Sequence, residues 1–149
     1  MEFKDSFYLL TQFFDKFLAL PLNNVIGIFK LEPITPIPNN QNKYLLGVTN
    51  AKGHIVTVMD FKMGESISES DLLVIFETSM EKRGAVFKKV AEVIQISKEE
   101  LEKAKSIEVP FPYLYLIKNS MEVILIDLDK KFDPFKFFES FIQPQSKAS

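Results

Sequence analysis

The feature that most constrains the fold is a succession of short apolar runs separated by turn residues. Runs of about four to eight apolar residues between Gly, Pro, Asn, Asp or Ser are typical of β-strands, whereas helices need longer periodic stretches. The pattern therefore predicts an all-β protein. The runs predicted as strands cover residues 7–14, 17–20, 54–61, 72–76, 85–87, 90–96, 113–117 and 122–128.

Prolines and polar residues mark the breaks between these strands. Residues 32–43 contain three prolines and then four consecutive amides, and proline cannot donate to a central ladder, so we predict an edge segment followed by a loop. Residues 23–30 fit either a helical turn or a strand. The polar segment 63–70 is the best internal boundary, and residues 81–84 are predicted to form a charged turn.

Two short helices are also predicted. Ser97 and Glu100 have the spacing of a capping box, which predicts a helix over residues 98–105. Asp133, followed by proline, is a typical helix start and predicts a second helix over residues 133–142. The apolar face of this second helix would consist of Phe135, Phe138, Phe141 and Ile142.

Charge and composition exclude several classes of protein. The 149 residues carry 18 basic and 20 acidic side chains, a formal net charge of −2, whereas nucleic-acid binders need an excess of Lys and Arg. The absence of cysteine excludes disulfides, thiolate metal sites and cysteine nucleophiles. No apolar run approaches the roughly 18 residues of a membrane helix, and no signal-peptide pattern is evident. We therefore expect one soluble, cytoplasmic domain without membrane insertion.

The sequence gives no positive support for catalysis. His54 is the single histidine, and an exposed position at the start of a strand is a better interpretation than a general base. Asp60, Asp127 and Asp129 could pair as acid and base, but an Asp that ends an apolar strand commonly starts a turn. Nucleophile-elbow, dinucleotide-binding and calcium-loop motifs are absent. We expect no enzymatic activity, no metal and no cofactor, and binding of a partner is the default.

Residues 47–61, GVTNAKGHIVTVMDF, resemble the central motif of the CheW family, the coupling proteins of bacterial chemotaxis. The usual form of that motif is close to G-V-I-N-L-R-G-x-I-V-P-V-I-D-L. Weaker similarities at residues 34–38, 84–93 and 123–130 follow in the right order, so the resemblance covers roughly residues 7–142. The positions that match in the central motif are both glycines, Asn50, Ile55, Val56, Val58 and Asp60.

The resemblance implies a fold of two small five-stranded SH3-like barrels packed side by side, with a short C-terminal helix. We expect a single CheW-like domain whose first subdomain covers about residues 7–63 and whose second covers about residues 70–128. The helix would cover about residues 133–142.

The resemblance also implies a non-catalytic adaptor that joins the cytoplasmic tip of chemoreceptors to the histidine kinase CheA at membrane-associated arrays. In the family, an apolar groove between the barrels accepts the receptor's helical hairpin. One end of the first barrel contacts the CheW-like regulatory domain of the kinase. The positions that correspond to the receptor side are Lys52, Leu72 and Val93, and those that correspond to the kinase side are Val25, Gly27 and Gly47.

Simpler interpretations exist for several of these positions. Core packing explains Leu72, Val93 and Val25 equally well, and Gly47 suits a backbone position with positive φ. The chain also departs from the family pattern. Lys52 replaces Arg and loses the planar fork that pairs with carboxylate. Gly27 replaces an acidic residue, and the Asp of the later V-D-x-V pattern is Lys88, so we expect a divergent adaptor with altered partners.

Two other functions fit the sequence. The first is a CheW-like module of another two-component signalling system, or a competitor for sites in receptor arrays. The second is a β-barrel that binds a small molecule in an apolar cavity.

Overall fold

The computed structural model describes residues 5–78, 81–108, 113–126, 128 and 136–139. These residues are mainly β-strand, which confirms the predicted all-β class. The strands are β1 (Ser6–Phe13), β2 (Lys16–Pro21), β3 (Val25–Lys30), β4 (Leu45–Ala51), β5 (His54–Asp60), β6 (Leu72–Glu77), β7 (Lys82–Val86), β8 (Val90–Ile96), β9 (Lys105–Ile107), β10 (Tyr113–Lys118) and β11 (Met121–Leu125). A 3₁₀ turn at Leu22–Asn24, the helix α1 (Lys98–Lys103) and a helical turn at residues 136–139 complete the described elements.

The strands form two sheets. The first has six strands in the order β8-β1-β2-β11-β10-β9, and the second has five in the order β3-β6-β7-β5-β4. Neighbouring strands are antiparallel except for the parallel pairs β2–β11 and β5–β7. The first sheet has one strand more than the predicted five. The additional strand is β9, which pairs with β10 and begins at Lys105, where the sequence pattern predicts the end of the helix.

Each sheet curls around an apolar cluster of its own, and a third cluster lies between the sheets. The interior of the six-stranded barrel contains Tyr8, Leu10, Ala19, Ile96, Leu101, Leu116, Val123 and Leu125. The interior of the five-stranded barrel contains Leu31, Ala51, Val56, Val58, Leu73, Ile75 and Val86. We call the third cluster the inter-barrel core, and it consists of Leu9, Phe13, Leu18, Leu20, Tyr44, Met59, Phe61, Val74, Phe76, Ala85, Phe87, Ile124, Ile126, Leu128, Phe137 and Phe138. This arrangement confirms two small barrels packed side by side.

The two sheets do not coincide with the contiguous segments 7–63 and 70–128. The strands β1 and β2 pair in one sheet with β8 and β11, whereas β3–β7 form the other sheet. Each predicted segment thus contributes strands to both sheets. Apolar runs reveal where strands lie along the chain, but strand partners depend on long-range pairing that no local pattern specifies.

The predicted charged turn at residues 81–84 is wrong, because most of it belongs to β7. Lys82 and Gly84 pair with Glu77 and Ile75 of β6. A Cβ at Gly84 would lie 2.9 Å from Leu73 Cδ1, so glycine permits close packing inside the five-stranded barrel. The exposed Lys82 and the half-buried Arg83 form the polar start of a strand whose remainder is buried.

Other predicted boundaries need small corrections. The ambiguous segment 23–30 is the end of the 3₁₀ turn followed by β3, and the edge segment after it pairs with β4 through a single bridge between Thr35 and Val48. In the predicted C-terminal helix, residues 136–139 are helical and Phe138 is fully buried. Its other predicted face residues, Phe135, Phe141 and Ile142, lie outside the described residues.

The capping box at the start of α1 is confirmed. Ser97 Oγ accepts a hydrogen bond from the Glu100 N–H at 3.1 Å, and the Ser97 N–H donates to Glu100 Oε1 at 3.0 Å. Glu100 also binds Lys118 Nζ of β10 at 2.9 Å, so the cap joins the helix to the sheet. The Ser97 N–H and then the Lys118 ammonium hold the pKa of the Glu100 carboxyl below its usual value.

Replacing Ser97 with alanine is expected to lower the free energy of unfolding by about 1 kcal/mol, because the Glu100 N–H loses its acceptor. Urea denaturation at neutral pH measures the change, and Ser97→Thr, which retains a hydroxyl, is the control. Because the folded pKa of Glu100 is lowered, its contribution is present at neutral pH and is lost as the pH falls through that pKa. An equal loss in both variants would contradict the assigned cap.

Candidate functional site

Two apolar side chains of the five-stranded sheet lie at the margin of the inter-barrel core. Leu72 is two residues before Val74, which belongs to that core, so both side chains are on the same face of β6. Ile28 is the register partner of Val74 on β3 and shares that face. Leu72 is 43% exposed and Ile28 is 44% exposed, although their neighbour Val74 is fully buried.

The six-stranded sheet supplies a matching pair. Leu9 of β1 belongs to the inter-barrel core, and its register partner on β8 is Val93. Phe7 lies two residues before Leu9 on the same face. Val93 is 50% exposed and Phe7 is 53% exposed, so the apolar face of this sheet also continues into solvent beyond the core.

Residues 87–89 connect β7 of the five-stranded sheet to β8 of the six-stranded sheet. Phe87 is buried in the inter-barrel core, and Val90, at the start of β8, packs against the same cluster. Large exposed apolar side chains that continue from a shared core are typical of interaction surfaces. We call the four residues Phe7, Ile28, Leu72 and Val93 the inter-barrel margin. Their exposure argues against the core-packing interpretation for Leu72 and Val93.

Lys52 occupies the tip of the β4–β5 hairpin. It has φ 53° and Gly53 has φ 89°, and two such residues between the paired Ala51 and His54 are typical of a two-residue hairpin turn. The Asn50 side chain accepts a hydrogen bond from the Gly53 N–H at 3.0 Å. The Lys52 side chain is exposed, at the end of the five-stranded barrel rather than on the inter-barrel margin. The ring contact between His54 and Phe29 links the end of this hairpin to β3.

Gly47 lies at a bulge in β4, where it is buried with φ 150°. A Cβ at this position would overlap the carbonyl oxygen of Thr35 and lie 2.8 Å from Ile34 Cγ2. The adjacent Val48 exchanges two backbone hydrogen bonds with Thr35, at 2.8 and 2.9 Å. Glycine is therefore required here by the close approach of segment 31–35, as well as by the positive φ.

Val25 and Gly27 lie on β3, at the opposite edge of the same sheet from β4. Val25 is half-buried and packs against the inter-barrel core, which supports the core-packing interpretation for this residue. A Cβ at Gly27 would lie 3.0 Å from Phe29 Cε2, because the Phe29 ring leans over the glycine. The chain continues from β3 through segment 31–35, which covers the buried Gly47, so this segment links the two edges of the sheet.

His54 is not the isolated exposed residue that its position suggested. It is half-buried, its ring lies 5.6 Å from the ring of Phe29, and its Nδ1 lies 3.5 Å from Lys82 Nζ. The imidazole therefore joins β5 to both β3 and β7. Sequence spacing gives no signal for this contact, because Phe29 and Lys82 are each more than 20 residues away along the chain.

Asp60 starts a turn, as predicted. Its carboxylate accepts hydrogen bonds from the backbone N–H groups of Lys62 at 2.9 Å and Gly64 at 3.0 Å. Asp127 and Asp129, its suggested acid–base partners, lie outside the described residues. Within the described ranges, no group of three or more His, Cys, Asp or Glu side chains is arranged to hold a metal ion.

A cleft of about 590 Å³ opens between the β1–β2 turn and the loop after β5. Half of its lining residues are charged, so it differs from the apolar cavity that a small-molecule-binding barrel would need. The charged lining residues are Asp15, Lys16, Lys62, Glu65 and Lys88.

Across the ranges that the structure covers, no helix has the length and apolar character needed to cross a membrane.

A search of curated proteins found no significant match. Comparisons with solved structures and with family models agree with this architecture. Among solved structures, the chain is similar to the crystal structure of the scaffolding protein TtCheW from Thermoanaerobacter tengcongensis, with a TM-score of 0.70 and 22% sequence identity. The alignment covers 89% of this chain and 90% of that one, and it shows a shared fold. The family model of the CheW-like domain matches residues 8–133, so the chain belongs to the CheW-like domain family.

Proposed function

We propose that this protein is a non-catalytic adaptor that couples the cytoplasmic tip of chemoreceptors to the histidine kinase CheA. In this proposal it acts in the cytoplasm and is recruited to membrane-associated receptor arrays. The observation that carries the proposal is the inter-barrel margin. Exposed apolar side chains from both barrels continue the shared core, and two of them occupy positions that the resemblance assigns to the receptor.

The chemistry of the margin suits an amphipathic helix. A helix presents apolar side chains at every third or fourth residue, and it docks by placing them in an apolar groove. Leu72 and Ile28 would contact one side of such a helix, and Val93 and Phe7 the other. Only side chains that are exposed before binding release water when a partner covers them. The inter-barrel margin therefore contributes more to the free energy of binding than the buried core does.

The kinase side of the proposal uses the opposite edges of the five-stranded sheet. The edge strand β3 carries Val25 and Gly27, and the edge strand β4 carries Gly47. Segment 31–35 covers Gly47, so in this proposal Gly47 does not itself contact the kinase. It acts indirectly, because it fixes the path of that segment across the barrel. The regulatory CheW-like domain of the kinase would contact the surface made by β3 and this segment.

The departures from the family pattern support altered partner specificity. Lys52 is exposed and makes no ion pair with any other described residue. Gly27, where the family has an acidic residue, has no carboxylate that could pair with Lys52. Lys88, where the family has Asp, lies 3.5 Å from Glu65 in an exposed ion pair. We infer that the cognate receptor and kinase carry compensating residues opposite these positions.

Co-sedimentation with a receptor-tip fragment and a fragment of the kinase containing its regulatory domain tests the adaptor role. Both fragments are taken from the same genome as this protein. The expected result is a ternary complex in which the receptor and kinase fragments sediment together only when this protein is present.

The same assay with the partners of an ordinary family member tests altered specificity, and weaker binding is expected. Failure to bind either cognate partner would remove the adaptor proposal. Binding of the kinase fragment without the receptor would instead support a module of another two-component system. Equal affinity for cognate and ordinary partners would remove the claim of divergence alone.

A further inference from the structure

The side chains of His54 and Lys82 meet at the open end of the five-stranded barrel. His54 is two residues before Val56, and Lys82 is two residues before Gly84, which pairs with Val58 and Ile75 of the barrel interior. Both side chains therefore point to the interior side and lie at its mouth. Lys82 Nζ lies 3.5 Å from His54 Nδ1. Lys52 is on the hairpin turn that leads directly into His54.

Phe29 holds the imidazole from the opposite strand. The two ring centroids are 5.6 Å apart, and the Phe29 ring in turn covers Gly27. Because a Cβ at Gly27 would lie 3.0 Å from Phe29 Cε2, the glycine leaves the space that the ring occupies. His54 is therefore positioned by its apolar contact with Phe29 rather than by an acidic partner.

The positive charges at this end of the barrel are not balanced by ion pairs. Neither Lys52 nor Lys82 lies within ion-pair distance of a carboxylate among the described residues, whereas the adjacent Arg83 is paired with Glu81. Glu77, the register partner of Lys82, is exposed. Lys82 Nζ lies 3.5 Å from His54 Nδ1 instead, so the charge of its ammonium stays available to an incoming anion.

We infer that Lys52, His54 and Lys82 form a carboxylate-binding site, which we call the cationic mouth, and that an acidic side chain of a docked protein partner occupies it. This inference rests on the proposed adaptor function and adds the chemistry of the partner. It assigns a specificity role to His54 and Lys82.

The surroundings favour an acidic protein segment over a phosphate-rich surface. The half-buried Phe29 ring lies 5.6 Å from the His54 ring, so an apolar surface adjoins the cationic groups. Anionic membranes and nucleic acids attract proteins through many Lys and Arg residues, but this chain has a formal net charge of −2. A carboxylate beside an apolar side chain matches both features of the site.

Titration of the ¹⁵N-labelled protein with a capped hexaglutamate peptide tests the site without receptor or kinase. The expected result is saturable shifts of the backbone amides of Lys52, Gly53, His54 and Lys82. Lys82→Gln should abolish the response, and His54→Ala should weaken it. Lys103→Gln on α1 is the matched control, because it removes an exposed lysine elsewhere.

Three outcomes of the titration would overturn the inference. The first is a response spread equally over Lys98, Lys103 and Lys105, and the second is a response that Lys82→Gln leaves unchanged. The third is tighter binding of inorganic phosphate or phosphatidylglycerol vesicles than of hexaglutamate at the same amides. A negative co-sedimentation result alongside specific peptide binding would count against the adaptor function alone. Normal co-sedimentation of Lys82→Gln with both cognate partners would count against the cationic mouth alone.

Discussion

Alanine at position 47 is expected to lower the free energy of unfolding by about 3 kcal/mol or more, the largest single-residue effect on stability that we predict outside the apolar cores. Two costs combine. The backbone has φ 150°, which L-residues rarely adopt, and the new Cβ would overlap the Thr35 carbonyl oxygen. Relief of that overlap requires segment 31–35 to move away from β4. The move would break the two hydrogen bonds between Thr35 and Val48.

Gly53→Ala is the matched control for this prediction. Gly53 also has positive φ, at 89°, but a Cβ there meets no atom within 4 Å. Its substitution should therefore cost only the backbone strain, about 1 kcal/mol. Urea denaturation of both variants at one pH gives the difference, which isolates the steric contact at Gly47. If the two variants were equally destabilised, the close approach of segment 31–35 to β4 would not be what constrains position 47.

Much of the fold is predictable from the sequence, because strand propensity and alternation are local. The strand predicted at 90–96 has the bounds of β8, and the capping box predicted at Ser97 forms with both of its hydrogen bonds. The prediction fails where polar residues begin a strand, as at Lys82 in β7. Strand partners are not predictable from local patterns, since β1 pairs with β8 across more than 70 residues of chain.

The candidate site is only partly accessible to sequence reasoning. Family resemblance predicts Leu72 and Val93, and the structure places both, exposed, at the margin of the inter-barrel core. It misses Phe7 and Ile28, although alternation along β1 places Phe7 on the same face as the buried Leu9. Whether such a residue is covered depends on how far the second barrel extends, which is a property of tertiary packing.

Val93→Asp is expected to weaken binding of the cognate receptor tip about 100-fold, because a docked helix would bury an unpaired carboxylate against apolar groups. The fold should survive. Val93 is 50% exposed on the edge strand β8, so the charged side chain stays hydrated in the free protein. Affinity for the kinase fragment should not change, since the proposed kinase surface lies on β3 and segment 31–35 of the other sheet.

Ile117→Asp provides the matched control for Val93→Asp. Ile117 is 65% exposed on β10 of the same sheet, and β1, β2 and β11 separate that strand from β8. The substitution adds the same charge to an exposed apolar strand position away from the margin, and receptor affinity should stay near that of the wild type. Circular dichroism and the urea midpoint must match among the three proteins before affinities are compared. Wild-type receptor affinity in a natively folded Val93→Asp variant would remove Val93 from the receptor surface, whereas equal losses in both variants would reduce the effect to net charge.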